Sequence, residues 1–101
     1  MRTVQIIHFY RPNGRQELEE TDVPDEVGTK FDELKACGCR ITAEVLATGY
    51  VSFCVEEPEL GDFDGILVEN GPELIQPFRD LILGFDKDRF ASWKAEMKED
   101  K

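Results

Sequence analysis

Three cysteines and a single histidine are the residues of this chain best suited to hold a metal or to run covalent chemistry: Cys37, Cys39, Cys54 and His8. Together they would formally complete a tetrahedral zinc site of three thiolates and one imidazole. The spacing argues against that use. Structural zinc motifs usually leave about two to four residues between paired cysteines, and Cys37-Gly38-Cys39 leaves only Gly38. A glycine between a helix and a strand reads as a helix stop. Cys37 then extends an apolar helix stripe and Cys39 shares the strand parity of Ile41, so both read as packing thiols. His8 must belong to any base–nucleophile pair of the serine or cysteine kind. Between Ile7 and Phe9 it reads instead as a histidine packed or hydrogen-bonded within a sheet, facing Glu19 in one of the registers open to that hairpin.

Carboxylates are so abundant that pairs of them carry no information about acid–base catalysis, which needs two groups in distinct environments within one cleft. The segment Asp62-Phe63-Asp64-Gly65 has the start of an acidic metal-binding loop but lacks the remaining calcium ligands, and Pro72 breaks the pattern before Glu73. No glycine-rich phosphate cradle of the G-x-G-x-x-G or G-x-x-x-x-G-K type occurs. The expectation is therefore a protein that is not an enzyme, with no cofactor and no metal.

The distribution of charge is more informative. Of the formal net charge of −10, the stretch from Ile41 to Phe78 carries −8, from 8 acids and no Lys or Arg. Such a one-signed region repels nucleic acid, whose affinity for proteins rests on Lys and Arg displacing counterions from phosphates. It can instead steer toward a basic surface of a protein partner, including a groove that normally holds nucleic acid. Glu56, Glu57, Glu59, Asp62, Asp64 and Glu69 are the candidate partner-binding residues. The competing account of the same residues is a solubilising coat.

The elements that must position these residues follow from periodicity. Val4 to Tyr10 is rich in β-branched and aromatic residues and runs into Pro12-Asn13-Gly14, a hairpin signal, with Gln16 to Val23 as a polar edge strand. A two-residue Asn13-Gly14 turn would set Phe9 against Leu18 and His8 against Glu19; a three-residue loop would shift every pair. Pro24 and the acids Asp25 and Glu26 open a helix with the stripe Val27, Phe31, Leu34 and Cys37, ended by Gly38. Arg40 to Ala47 and Tyr50 to Glu56 alternate, and a three-residue loop ending in a left-handed Gly49 sets Val45 against Val51, Ala43 against Phe53 and Ile41 against Val55. Leu46 and Tyr50 fall on the opposite face. Residues 57 to 65 read as an exposed acidic loop, and Ile66 to Val68 as a short strand. A second helix carries Leu74, Ile75, Phe78, Leu81, Ile82 and Phe85; it begins near Pro72 or Pro77, with either a kink at Pro77 or an initial turn before the true start. A third, capped by Asp86 or Asp88, carries Phe90, Trp93 and Met97.

At 101 residues this is one domain. The expected class is α+β: an antiparallel sheet of about five strands, in the order β-β-α-β-β-β-α-α, with helices packed on one face. No stretch is long and apolar enough to span a bilayer, no signal-peptide pattern opens the chain, and three cysteines suit reduced thiols, so the expected location is cytoplasmic.

The segments IIHFYRPNGRQE, ELKACGCRITAEVLATGYVSF and VENGPEL resemble a pattern found in small, uncharacterised proteins of bacterial phages and prophages. The resemblance spans most of residues 4 to 75 and implies a bacterial or phage cytoplasmic origin, and with it a small protein that acts by binding. It brings no active site. Beside a protein-binding or inhibitor role stand two alternatives: a homodimeric module that covers either the sheet face with Leu46 and Tyr50 or the last helix with Trp93, and a cysteine-based metal protein.

Overall fold

The computed structural model describes residues 1–10, 14–71 and 74–99. Strands β1 (Arg2–Tyr10) and β2 (Arg15–Val23) are followed by helix α1 (Asp25–Ala36), strands β3 (Arg40–Val45), β4 (Tyr50–Glu57) and β5 (Gly61–Glu69), and helices α2 (Ile75–Leu83) and α3 (Lys87–Glu99). The class is α+β, in the expected order of elements. The five strands form one sheet in the order β2-β1-β3-β4-β5.

Every ladder is antiparallel except one: β1 and β3 run parallel, Ile7 beside Thr42 through Tyr10 beside Val45. The sheet is thus mixed rather than wholly antiparallel. The cause is the connection through α1, which returns the chain across β1 and so enters β3 in the direction of β1.

The β3–β4 hairpin pairs Ile41 with Val55, Ala43 with Phe53 and Val45 with Val51, as alternation predicts. Gly49 takes a φ of +92°, which a side chain would strain. In the first hairpin Tyr10 pairs with Arg15 and Phe9 with Gln16. The connection is two residues longer than an Asn13-Gly14 turn would make it. Because the slip is even, each side chain keeps the face that the shorter turn would have assigned it. Pro12 and Asn13 lie outside the described residues.

The Cys-Gly-Cys run is a helix C-terminus. Cys39 N–H donates to Leu34 C=O and Gly38 N–H to Lys35 C=O, both at 2.9 Å. With Gly38 at φ +87°, this is the double-bonded left-handed cap that satisfies the last carbonyls of a helix. It accounts for the glycine and for the burial of Cys39 (4% exposed).

Residues 57 to 65 are not a loop. The turn is confined to Pro58-Glu59-Leu60, and β5 begins at Gly61. A bulge between Val55 and Glu56 shifts the register from Val55↔Asp64 to Glu56↔Asp62. The extra residue, Phe63, turns toward the helices, where its ring meets those of Phe85, Phe90 and Trp93 at 6.0, 5.2 and 5.2 Å. Acidic residues survive in this strand because it lies at the sheet edge, where charges reach solvent. Pro77 neither starts nor kinks α2. It is the third helical residue, within the first turn, where backbone N–H groups have no intrahelical acceptor to lose. Pro72 lies outside the described residues. Asp86 caps α3, its Oδ1 accepting from the N–H groups of Asp88 and Arg89 at 2.9 and 3.2 Å.

Helices cover one face of the sheet. The core joins Val4 and Ile6 of β1, Val27, Phe31 and Leu34 of α1, the six inward residues of the β3–β4 hairpin, less half-buried Val45, and Phe78, Leu81, Ile82, Phe85 and Phe90. Ile7 itself belongs to the other face; its neighbour Ile6 meets the helices. No helix among the described residues is long and apolar enough to cross a membrane.

Candidate functional site

Side chains of opposite parity to the core form the uncovered face: Ile7 and Phe9 on β1, Leu18 on β2, Arg40, Thr42 and Glu44 on β3, Ser52, Cys54 and Glu56 on β4, and Asp62, Leu67 and Glu69 on β5. Two large apolar side chains near its two sides stand out in water, Leu18 at 63% and Leu67 at 60% exposed. Toward its centre lies a groove of about 450 Å³ lined by Phe9, Tyr10, Gly14, Thr42, Glu44, Cys54, Glu56 and Asp62.

The groove's lining carries the ionisable groups of Glu44, Glu56, Asp62 and the Cys54 thiol. Glu56 accepts from Arg40 Nη2 at 2.6 Å and Nε at 2.8 Å, a charge-assisted pair across the β3–β4 ladder. Burial pushes the Cys54 thiol up, opposed by its contact with Ser52 Oγ at 3.7 Å and reinforced by the Asp62 and Glu44 carboxylates. A thiol held in its protonated form is a weak nucleophile. Its natural activator, His8, stands on the opposite face, since His8 shares a row with Ala43 and Phe53 whereas Cys54 shares one with Thr42.

His8 has its own setting. Its Nδ1 lies 2.7 Å from Glu19 Oε2. The oxygen lies off the N–H direction, leaving the buried nitrogen without a well-directed hydrogen bond. Tyr10 Oη donates to the other oxygen of Glu19 at 3.4 Å. Beside this cluster is a cleft of about 250 Å³ walled by Ile6, Thr21, Phe53, Leu74, Ile75 and Phe78. Glu19 does neighbour His8, diagonally across the hairpin rather than directly, since His8 pairs with Glu17.

Cys37, Cys39, Cys54 and His8 do not converge: Cys39 is in the core, Cys54 opens to the groove, and His8 faces the helices. Among the described residues no group of three or more His, Cys, Asp and Glu could hold a metal ion.

The six candidate carboxylates divide into three settings. Glu56, Asp62 and Glu69 lie on the uncovered face, where Glu44 joins them. Glu59 lies in the β4–β5 turn and Glu57 ends β4 beside it, its carboxylate accepting from Leu60 N–H at 2.9 Å, so it stabilises the turn itself. Asp64 reaches the helix side and pairs with Arg89 Nη2 of α3 at 3.1 Å. Sequence reasoning missed the grouping of Glu44 with Glu56 and Asp62, and the signal was available: Glu44 and Glu56 share the outward parity of the hairpin whose register alternation had set. Asp62 joins them only through the bulge, which left no such mark.

No family model, no curated protein and no solved structure matches the chain.

Proposed function

We propose that this chain is a small, non-enzymatic protein-interaction module of the cytoplasm, of phage or prophage type, that docks on a basic surface of a protein partner and competes there with the partner's usual ligand. One observation carries this reading: the uncovered sheet face combines exposed Leu18 and Leu67 with the carboxylates of Glu44, Glu56, Asp62 and Glu69. Arg40 of the same face pairs with Glu56, and the excess of carboxylates beside an exposed apolar surface suits it to binding a protein of the opposite sign. The same sign opposes direct binding of nucleic acid.

The test is capture from a bacterial lysate at low and high salt, with the native chain and with a variant carrying Asp62→Lys and Glu69→Lys. A stoichiometric protein retained at low salt, released at high salt and lost with the variant is the expected result. Retention by the variant as strong as by the native chain would reduce the acidic face to a solubilising coat.

A homodimer is the second reading, favoured by the exposure of Leu18 and Leu67 on one face. Trp93 packs on Phe63 and Phe90 within its own chain, which favours the sheet over the last helix as the dimer surface. Light scattering that returns a monomer at high concentration would remove this reading.

A further inference from the structure

The sheet has two edge strands, and they are unequal. β2 is charged or polar at every position from Arg15 to Asp22 except Leu18, a composition that discourages an edge from accepting another strand. β5 instead contains Gly65-Ile66-Leu67-Val68, four residues without charge, proline or lysine. Ile66 is 39% and Leu67 60% exposed, on opposite faces of the strand. The first half of β5 is tied to α3 through Phe63–Trp93 and Asp64–Arg89, and the stretch from Gly65 to Glu69 lies beyond those contacts.

The backbone groups of that edge can be assigned. Leu46 N–H donates to Tyr50 C=O, so the even residues of β4 point at β3 and the odd ones at β5. Val51 and Phe53 therefore meet Val68 and Ile66 in bonded pairs, and Asn70 N–H donates to Gly49 C=O on the same side. Alternation then turns the N–H and C=O groups of Gly65, Leu67 and Glu69 away from the sheet.

We infer that β5 is the recognition edge of this protein, and that its occupant is an extended segment of the partner carrying Lys or Arg among apolar residues, added to the sheet as a sixth strand. This rests on the proposed docking on a basic protein and names its mode. The Gly65 N–H already donates to Asp64 Oδ1 at 2.9 Å, so main-chain bonds to the Gly65 carbonyl, Leu67 and Glu69 supply affinity that does not depend on sequence, while Ile66 and Leu67 on the two faces, with Glu69 at one end and Asp62 at the other, select apolar and basic side chains. A second copy of this chain is a poorer occupant, because self-pairing would put Asp62, Asp64 and Glu69 of both copies on one ladder, and like charges there are destabilising.

The test uses a capped, soluble peptide alternating Arg and Val, added to the full chain and followed by amide hydrogen exchange. The expected result is new protection at Leu67 and Glu69, whose N–H groups point away from β4. The variant Leu67→Pro removes one outward donor without removing a bond to β4, which an edge strand tolerates. It should keep its melting midpoint within a few degrees and weaken the peptide by about tenfold or more, whereas Leu67→Thr should bind. Binding that is salt-sensitive yet protects no β5 amide, and is untouched by Leu67→Pro, would overturn strand addition while leaving acidic docking standing. Protection of the same amides in the free chain, growing with its concentration, would assign the edge to a second copy and overturn the inference. No binding of any kind would overturn both readings.

Discussion

Phe53 is the residue on which the deduced register can be tested most severely. Its ring is 4% exposed and meets the ring of Phe78 at 5.5 Å. It stands between Val51 and Val55 on the helix side of β4. Truncating such a phenylalanine to alanine costs about 3–5 kcal/mol, the lost transfer energy plus the void left behind. The ring also borders the 250 Å³ cleft beside His8, so the void opens toward solvent rather than remaining sealed, which places Phe53→Ala at about 3–4 kcal/mol on that scale. A chain of this length has about 5–15 kcal/mol in all. The variant should therefore melt about 15–30 °C lower, at about 4–8 °C per kcal/mol. Urea unfolding followed by circular dichroism and by Trp93 fluorescence, with an unchanged slope, measures the loss directly. Ser52→Ala, one residue away on the uncovered face, should stay within about 0.5 kcal/mol of the native chain. A loss at Phe53 below about 1 kcal/mol, or one no larger than at Ser52, would refute the assignment of faces.

Two further outcomes probe the join between α1 and β3. A methyl group at Gly38 would meet nothing within 4 Å, yet φ is +87°, so Gly38→Ala should cost about 1–2 kcal/mol through conformation alone. Gly71→Ala, also with open space but no positive φ, should cost nothing measurable in the same melting experiment. At Cys39, burial, with smaller contributions from Cys37 and Glu57, pushes the thiol from 9.0 up to about 11. The folded state thus favours the neutral thiol, and stability should be constant below about pH 9 and fall as pH rises toward about 11, where the unfolded thiol ionises first. Cys39→Ala should flatten that alkaline decline, and an alkylating reagent at neutral pH should modify half-exposed Cys37 while sparing Cys39; equal rates at both would contradict the buried cap.

What could be deduced from sequence was whatever depends on near neighbours. The β3–β4 register followed from alternation on both sides of Gly49, because a slip of one residue would have turned Ile41, Ala43, Val45 and their partners into water. Gly38 as a helix stop was equally legible, since few residues other than glycine accept its backbone conformation. So were the α1 stripe, the α+β class and the concentration of charge between Ile41 and Phe78. Other features were decided by contacts between residues far apart in the chain. The parallel pairing of β1 with β3 depends on how α1 carries the chain across the sheet. The extension of the short Ile66–Val68 strand back through the acidic stretch to Gly61 depends on a bulge that lets Phe63 reach Phe85, Phe90 and Trp93. The placing of Asp62 on the uncovered face and of Asp64 beside α3 follows from that same bulge. A local pattern shows that a segment is charged and broken by Gly and Pro; only the aromatic cluster waiting across the core makes it a strand, and only the strand leaves the sheet with an edge open to a partner.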